Sequence, residues 1–319
     1  MVIPRILVSK CLGFAHCRYN GLIIASEFVD KLKPFVEFIP VCPEMEIGLG
    51  APRNPVRMVV INQQMCLVQP STGKDLSGTM HDFAASFLSS AEKIDGFILK
   101  NRSPSCGIKD VKIYSGIDAD YAARKNAGFF GSTVLAKFPH LPVEDEGRLT
   151  NLKIREHFLT RIFIMARFKA IKNQPSMKAL VAFHSCNKLL LMSYNQNEMR
   201  ILGRTVANLE KRALLQILVD YEEHLAKALL RMPRYTSNIN VLMHAIGYFT
   251  YDLTKSEKAF FFKHIEKYRT SKVSLSELLG IVKSWIVRFK NDYLMSQSFF
   301  QPYPEELIEI ADSGKRDKE

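Results

Sequence analysis

Apolar residues fall in short blocks over roughly the first 140 positions and at helical spacing over the rest, and this change of period divides the chain. In the first part, apolar runs at 5–10, 36–41, 58–60 with 65–68, and 96–100 have the length of buried strands. Between them, 24–32 and 80–92 show helical spacing, the second through Phe83, Phe87 and Leu88. Strands alternating with helices predict a doubly wound, Rossmann-like α/β domain with a mostly parallel sheet. Gly73-Lys74-Asp75 marks a turn before the longer helix, which Ser77 or Thr79 is placed to cap. Residues 121–128 read as a further short helix ended by Gly128.

Near Pro139-His140-Leu141-Pro142 the alternation stops, and Val143-Glu144-Asp145-Glu146-Gly147 reads as an acidic, turn-forming joint. The boundary is set at about residue 150, giving domains 1–150 and 151–319. Beyond it, 154–172, 177–194, 206–230, 239–249, 256–268, 275–291 and 304–312 carry helical period, which predicts an all-α second domain. Residues 313–319 are charged and free of apolar side chains, so disorder is expected there. No internal repeat or low-complexity linker separates the two parts.

Three of the strand blocks end in chemistry. The run at 36–41 stops on Cys42, followed by Pro43 and Glu44; the run at 5–10 stops on Cys11; the run at 96–100 continues into Asn101-Arg102-Ser103-Pro104-Ser105-Cys106-Gly107. Carboxyl ends of strands are where open α/β sheets bind ligands. Cys11, Cys42 and Cys106, each among turn-forming residues, are therefore expected to share one site. Cys66, inside an apolar run, reads as core, Cys186 lacks turn-forming surroundings, and Cys17, beside Arg18 and six residues past Cys11, stays open.

Composition narrows the class. With 319 residues, 47% of them hydrophobic, the chain can bury two cores. No apolar run approaches the roughly 20 residues of a membrane span, and the N-terminus has no basic leader with an apolar core, so a cytoplasmic protein with no membrane partner is expected. Six unclustered cysteines do not form a disulfide framework and should be reduced thiols. Structural zinc usually needs closely spaced ligand pairs, and no CxxC or HxxxH occurs. Long spacings instead suit a site assembled by the fold, such as an iron-sulfur cluster. Three thiolates on a cubane leave one iron open, a Lewis acid for a soft sulfur atom.

The net charge of +12 is uneven: 17 basic residues face 15 acidic ones in 1–150, and 27 face 17 in 151–319. A basic second half suggests a polyanion partner, nucleic acid first, with plain solubility as the alternative. His157, His184, His224, His244 and His264 each stand singly in helical pattern and read as structural rather than metal-binding.

The segments SKCLGFAHCRYNG (9–21), PVCPE (40–44), GLGAPR (48–53) and KNRSPSCG (100–107) resemble the motif set of the DUF523 family, which includes the TudS-type thiouracil desulfidases. The segments FHSCNK (183–188), NVLMH (240–244), GYF (247–249) and QPYP (301–304) resemble DUF1722, the YbgA-like domain. Their fusion is similar to the RudS-type desulfidases, which convert 4-thiouridine in transfer RNA to uridine. The resemblance implies that Cys11, Cys42 and Cys106 hold a [4Fe-4S] cluster whose fourth iron is open to substrate sulfur. It also implies that Glu44 and Ser103 serve proton transfer and substrate contact. The chain departs from the common pattern at Phe14 and Asn20, where the family carries glycine and aspartate, which affects substrate contacts near residues 18–20.

The resemblance thus leads to a hydrolytic desulfidase of 4-thiouridine in transfer RNA, releasing sulfide. Two alternatives stand beside it: a desulfidase of free thiouracil or thionucleotides, and a nucleic-acid-binding or redox-sensing protein whose cluster is not catalytic. Glu44 can take a proton from water, or merely cap a helix or pair with Arg53. Ser103 can equally be a turn hydroxyl ahead of Pro104. Arg18, Arg53 and Arg102 can hold a phosphate or a base edge, or pair structurally. Arg155, Arg161, Arg167 and Lys169, with Lys172 and Lys178, are candidates for tracking a phosphate backbone, with Phe163, Phe168 and Tyr194 supporting an exposed base or, alternatively, filling the core. No obligate protein partner is inferred.

Overall fold

The computed structural model describes residues 2–91 and 94–308. The first part runs β1 (Arg5–Ser9), α1 (Glu27–Leu32), β2 (Glu37–Val41), α2 (Pro43–Glu46), β3 (Arg57–Ile61), β4 (Gln64–Gln69), β5 (Lys74–Asp75), α3 (Ser77–Ser90), β6 (Gly96–Leu99), β7 (Val111–Tyr114), β8 (Ala122–Asn126), α4 (Phe129–Lys137) and β9 (Val143–Asp145). Among the described residues eight α-helices follow: α5 (Leu152–Asn173), α6 (Met177–Tyr194), α7 (Gln196–Ala207), α8 (Leu214–Ala228), α9 (Tyr235–Gly247), α10 (Lys255–Arg269), α11 (Leu275–Arg288) and α12 (Asp292–Met295). The chain forms two compact units that divide between Ile162 and Phe163, inside α5.

The first unit is mixed α/β, as its apolar blocks predict. Its central sheet has the order β2-β1-β6-β9 and is parallel throughout. β6 is buried along its whole length, as expected of an interior strand covered on both faces. Ser9 lies opposite Val41 and Val8 opposite Ile98, so three strands end at one edge. That edge is where Cys11, Cys42 and the loop to Cys106 leave the sheet.

Three local expectations fail here. The runs 58–60 and 65–68 are not parallel strands of the central sheet. They form the antiparallel pair β3–β4 of a second sheet, ordered β5-β4-β3-β7-β8. Asn62 and Gln63, both at positive φ, make a tight two-residue turn, and so short a link permits only antiparallel pairing. The helix expected over 121–128 is instead the exposed strand β8, paired with β7. Gly128 was expected to end a helix; it stands at the N-cap of α4, where backbones meet too closely for a side chain. Third, the acidic joint at 143–147 contains β9, which pairs with β6 through Phe97–Val143 and Leu99–Asp145.

The second unit is helical. Phe168, Phe183 and Tyr221 pack with ring centroids 5.7, 5.2 and 6.1 Å apart, and Trp285 lies 5.4 Å from Phe261. The single helix expected over 206–230 is broken. Asn208 adopts the left-handed conformation that stops α7, and its amide bonds with Arg212 before α8 begins. The unforeseen α7 starts at Asn195, whose side chain accepts from the amides of Asn197 and Glu198. The expected helix over 304–312 appears as a 3-10 turn at Glu305–Leu307; its end, the tail at 313–319 and the last residue of the 80–92 pattern lie outside the described residues. Among the described residues no helix is long and apolar enough to cross a membrane.

Burial, with the Arg161 charge beside it, lowers the pKa of His157 to about 3. Its neutral form is therefore the folded form. Stability from this group is complete above its ordinary 6.5 and declines as pH falls from there toward 3. A melting temperature that drops between pH 7 and pH 5, and drops less in His157→Gln, is the expected result.

Candidate metal centre and active site

The loop after β1 folds back on itself: the amides of Phe14 and Ala15 both donate to the Lys10 carbonyl, at 3.2 and 3.0 Å. Gly13 makes the reversal at φ +84°, a conformation that suits glycine. The turn returns Cys17 toward Cys11. The Cys17 thiol lies within hydrogen-bonding reach of the thiols of both Cys11 and Cys42, and the Cys42 Sγ donates to the Cys17 carbonyl at 3.7 Å. Cys42 follows β2 directly and occupies the N-cap position of α2 without a side-chain cap bond, with Pro43 at the first helical position. Cys106 is buried, its thiol in reach of the Ser9 and Ser103 hydroxyls and in the electrostatic field of Cys42.

This environment favours the protonated form of Cys17, Cys42 and Cys106. The Cys17 pKa is pushed up to about 11, chiefly by contact with Cys11. That of Cys42 is raised by Cys17 and by burial, and that of Cys106 by burial and the charges of Cys42 and Glu44. Thiolates would repel one another here unless a positive centre sat among them, so the donor set fits a thiophilic metal group. Among the described residues no three His, Cys, Asp or Glu side chains are disposed to hold a single metal ion. A cubane cluster spreads its ligands over several irons, so its thiolates stand further apart than those around one ion.

Glu44, at the start of α2, is buried with both carboxylate oxygens hydrogen-bonded. Its Oε2 accepts from Arg53 Nε and Nη2 at 2.8 and 2.6 Å, and its Oε1 accepts from Ser105 Oγ at 2.9 Å. Arg53 Nη1 donates to the carbonyls of Cys17 and Gly50 at 2.9 and 2.7 Å. With a side chain only 5% exposed, Arg53 ties the Cys17 turn to the Glu44 carboxylate. Four of its five N–H donors are engaged within the protein and the group is withdrawn from solvent, so the structural pairing is the one found.

Ser103 Oγ accepts from the amides of Ser105 and Cys106 at 3.2 and 3.0 Å, which is the turn role, and this shapes the loop that presents Cys106. Behind the loop stands the N-terminus of α4. Its otherwise unpaired amides are satisfied by the loop: Gly128 donates to Gly107, Phe129 to Pro104 and Gly131 to Ser105, at 2.7, 3.0 and 2.9 Å. A Cβ on Gly131 would sit 2.3 Å from the Gly107 oxygen and 2.8 Å from that of Cys106. Gly131→Ala is therefore expected to displace the Cys106 loop at a cost of about 1–3 kcal/mol, read as a lower melting temperature and reduced iron retention. At the other end of the loop, Lys100 pairs with Glu146, and the Asn101 amide donates to Glu146 Oε2 at 2.8 Å.

Phe14 packs edge-on against Phe38, centroids 5.3 Å apart, and Asn20 Oδ1 accepts from the Leu22 amide at 3.2 Å, so both departures from the motif are locally accommodated. Arg18 is half-buried, with its guanidinium 5.7 Å from the Tyr19 ring, and Arg102 is exposed at φ +54°. Arg155 and Arg161 are buried, Arg161 donating to the His140 carbonyl at 2.9 Å. Arg167 bonds the Pro302 carbonyl, and Lys169 is half-buried. Phe163 and Phe168 are buried too, Phe168 in the helical core, so these two rings and the buried Arg155 and Arg161 do not offer a surface to phosphates or a base; contacts of that kind require exposed cations and rings. Exposed cations in the second unit lie elsewhere, at Lys178, Arg200, Arg204, Lys211 and Arg231. His184, His224 and His264 bond Tyr221, Glu198 and the Phe260 carbonyl. Cys66, expected in the core, is half-buried on β4.

Two members of the site escaped the sequence reading. Cys17 had a signal in its six-residue spacing from Cys11, left undecided. Ser105 had none, because its partner Glu44 is 61 residues away.

The profile of the 2-thiouracil desulfurase family matches residues 6–146, and that of DUF1722, a protein family of unknown function, matches residues 188–304. YbbK of Bacillus subtilis (strain 168) is 34% identical over 155 residues, 46% of this chain and 99% of YbbK. YbgA of Escherichia coli (strain K12) is 28% identical over 161 residues, 49% of this chain and 93% of YbgA. A solved structure described as the [4Fe-4S]-dependent thiouracil desulfidase TudS is 29% identical, covering 46% of this chain and 93% of that one, with a TM-score of 0.35.

Proposed function

The chain belongs to the 2-thiouracil desulfurase family over its first half and carries a DUF1722 region in its second, and from that premise we propose that it is a [4Fe-4S]-dependent desulfidase that converts 4-thiouridine in transfer RNA to uridine. The observation that carries this reading is the gathering of thiols from separate strand ends beside a buried carboxylate. Cys11, Cys42 and Cys106 would hold the cluster. When bound, it would supply an iron without a protein ligand, a Lewis acid suited to a thiocarbonyl sulfur. The rest falls to the protein. Arg53 fixes Oε2 of Glu44 with two donors, so Oε1 is the atom free to exchange its bond from Ser105 for a proton from the attacking water. Water adds at the carbon; as the carbonyl forms, the proton held on Oε1 and the one left on the added oxygen go with the sulfur, which departs as hydrogen sulfide, and the Ser105 hydroxyl can return to the freed Oε1. Ser103 holds the Cys106 loop in place rather than moving a proton.

The RNA part of the reading is supported by the charge of the second half and by the DUF1722 fusion. Free thiouracil or a thionucleotide as substrate is the second reading. Anaerobic reconstitution with iron and sulfide, then incubation with thiolated transfer RNA and with free base, followed by nucleoside analysis, separates them. Loss of 4-thiouridine from RNA is expected; turnover of the free base alone would overturn the substrate. Among the thiols, Cys17→Ser is expected to retain iron and acid-labile sulfide, whereas Cys11→Ser loses them. The opposite pattern would put Cys17 in place of Cys11 as the ligand.

A further inference from the structure

Beside the Cys106 loop, on the outer face of the second sheet, lies a groove of about 380 Å³. Arg57, Arg102, Lys112 and Lys125 line it with one carboxylate, Asp110, and the ring of Tyr114. All four cations are exposed. Lys112 of β7 stands directly opposite Lys125 of β8, a like-charge pairing that destabilises a sheet unless an anion relieves it. Asp110 relieves it poorly, 3.9 Å from Lys125 and 4.0 Å from Lys109 at the same time. Among the described residues no carboxylate pairs with Arg57, Arg102 or Lys112, and the Arg57 guanidinium lies 4.7 Å from the Tyr114 ring, oriented by stacking. Four cations against one carboxylate make a place for a dianion or a polyanion.

We propose that this groove binds phosphate of the thiolated nucleotide substrate, as the backbone of RNA flanking the target base. Its location supports the substrate. Arg102 and Pro104 line the groove while Ser103 and Cys106, in the same loop, belong to the thiol site. Pro104 and Cys106 are at most about 7 Å apart along the chain. A nucleotide whose base reached the thiols would bring a phosphate to the cations. The groove would thus favour nucleotides over free base within the first unit alone. This rests on the desulfidase reading for its choice of ligand.

The test uses full-length protein and fluorescence anisotropy with thiolated transfer RNA over a range of salt, which needs no turnover. The variant Arg57→Gln/Lys112→Gln/Lys125→Gln is expected to bind at least about tenfold more weakly at low salt, with the slope of log affinity against log salt reduced by about 2. An unchanged melting temperature and recovery of affinity on changing position 112 to arginine separate lost contact from lost fold. If RNA binding is unchanged but KM for 4-thiouridine 5′-monophosphate rises severalfold in the variant, the phosphate is that of a single nucleotide. If neither changes, the groove is not a phosphate site. Wild-type protein that binds RNA through these residues yet desulfidates nothing would keep the groove and sink the desulfidase reading.

Discussion

Cys42→Ser is expected to leave the protein folded but without iron, and to reduce desulfidation by more than about 100-fold. Loss of even an outer partner of a metal ligand costs 10–100-fold in affinity or activity, and Cys42 is proposed as a ligand itself. Serine is nearly the same size and can replace the bond from Cys42 Sγ to the Cys17 carbonyl, so the melting temperature of the iron-free protein should hardly move. Iron and acid-labile sulfide per chain after anaerobic reconstitution are the decisive measurements. A Cys42→Ser protein with a full complement of both would remove Cys42 from the ligand set and, with it, the proposed convergence of three strand ends on one cluster.

Arg53→Met is the second large effect, and it falls on stability. The Arg53–Glu44 pair is nearly inaccessible, with side-chain exposures of 5% and 12%. Removing the arginine leaves a buried carboxylate without its countercharge and takes one donor each from the main-chain carbonyls of Cys17 and Gly50. Breaking a buried pair in this way costs about 3–5 kcal/mol, which for a unit of this size lowers the melting temperature by roughly 10 °C. The double variant Arg53→Met/Glu44→Met removes the stranded charge as well and should regain most of the stability while remaining inactive. Thermal melts of both variants check this. A single variant within about 0.5 kcal/mol of wild type, the scale of an ordinary surface substitution, would show that Arg53 does not organise the site.

What could be read before folding depended on how local the signal was. The parallel strands β1 and β6 announced themselves as short apolar blocks, because an interior strand buries both faces and needs no polar alternation, while β2, at the sheet edge, was legible from its apolar run alone. Helix α6 was legible to the residue, since 177–194 carries its own helical period and Ser176 caps it. By contrast, β8 has no buried side chain to mark it; Ala122–Asn126 is a strand only because β7 offers unpaired backbone groups beside it. Gly128 gave the right residue and the wrong end, since a glycine allows both a helix stop and a close backbone approach, and only the neighbouring loop 104–107 decides between them.

The same division runs through the candidate site. The sequence by itself determined that cysteines would stand at strand ends with a proline and a carboxylate beside one of them, that the first half would be α/β and the second helical, and that the basic excess would lie in the second half. Only the tertiary structure decided which groups meet: Cys17 turning back to Cys11 and Cys42, Ser105 reaching Glu44 across 61 residues, Arg53 withdrawn from solvent to tie them, and Arg155 and Arg161 buried while Arg57, Lys112 and Lys125 stay exposed. Periodicity records how each segment will be buried. It does not record which distant segment supplies the partner, because a hydrogen bond or an ion pair between two side chains leaves no trace in the spacing of either one.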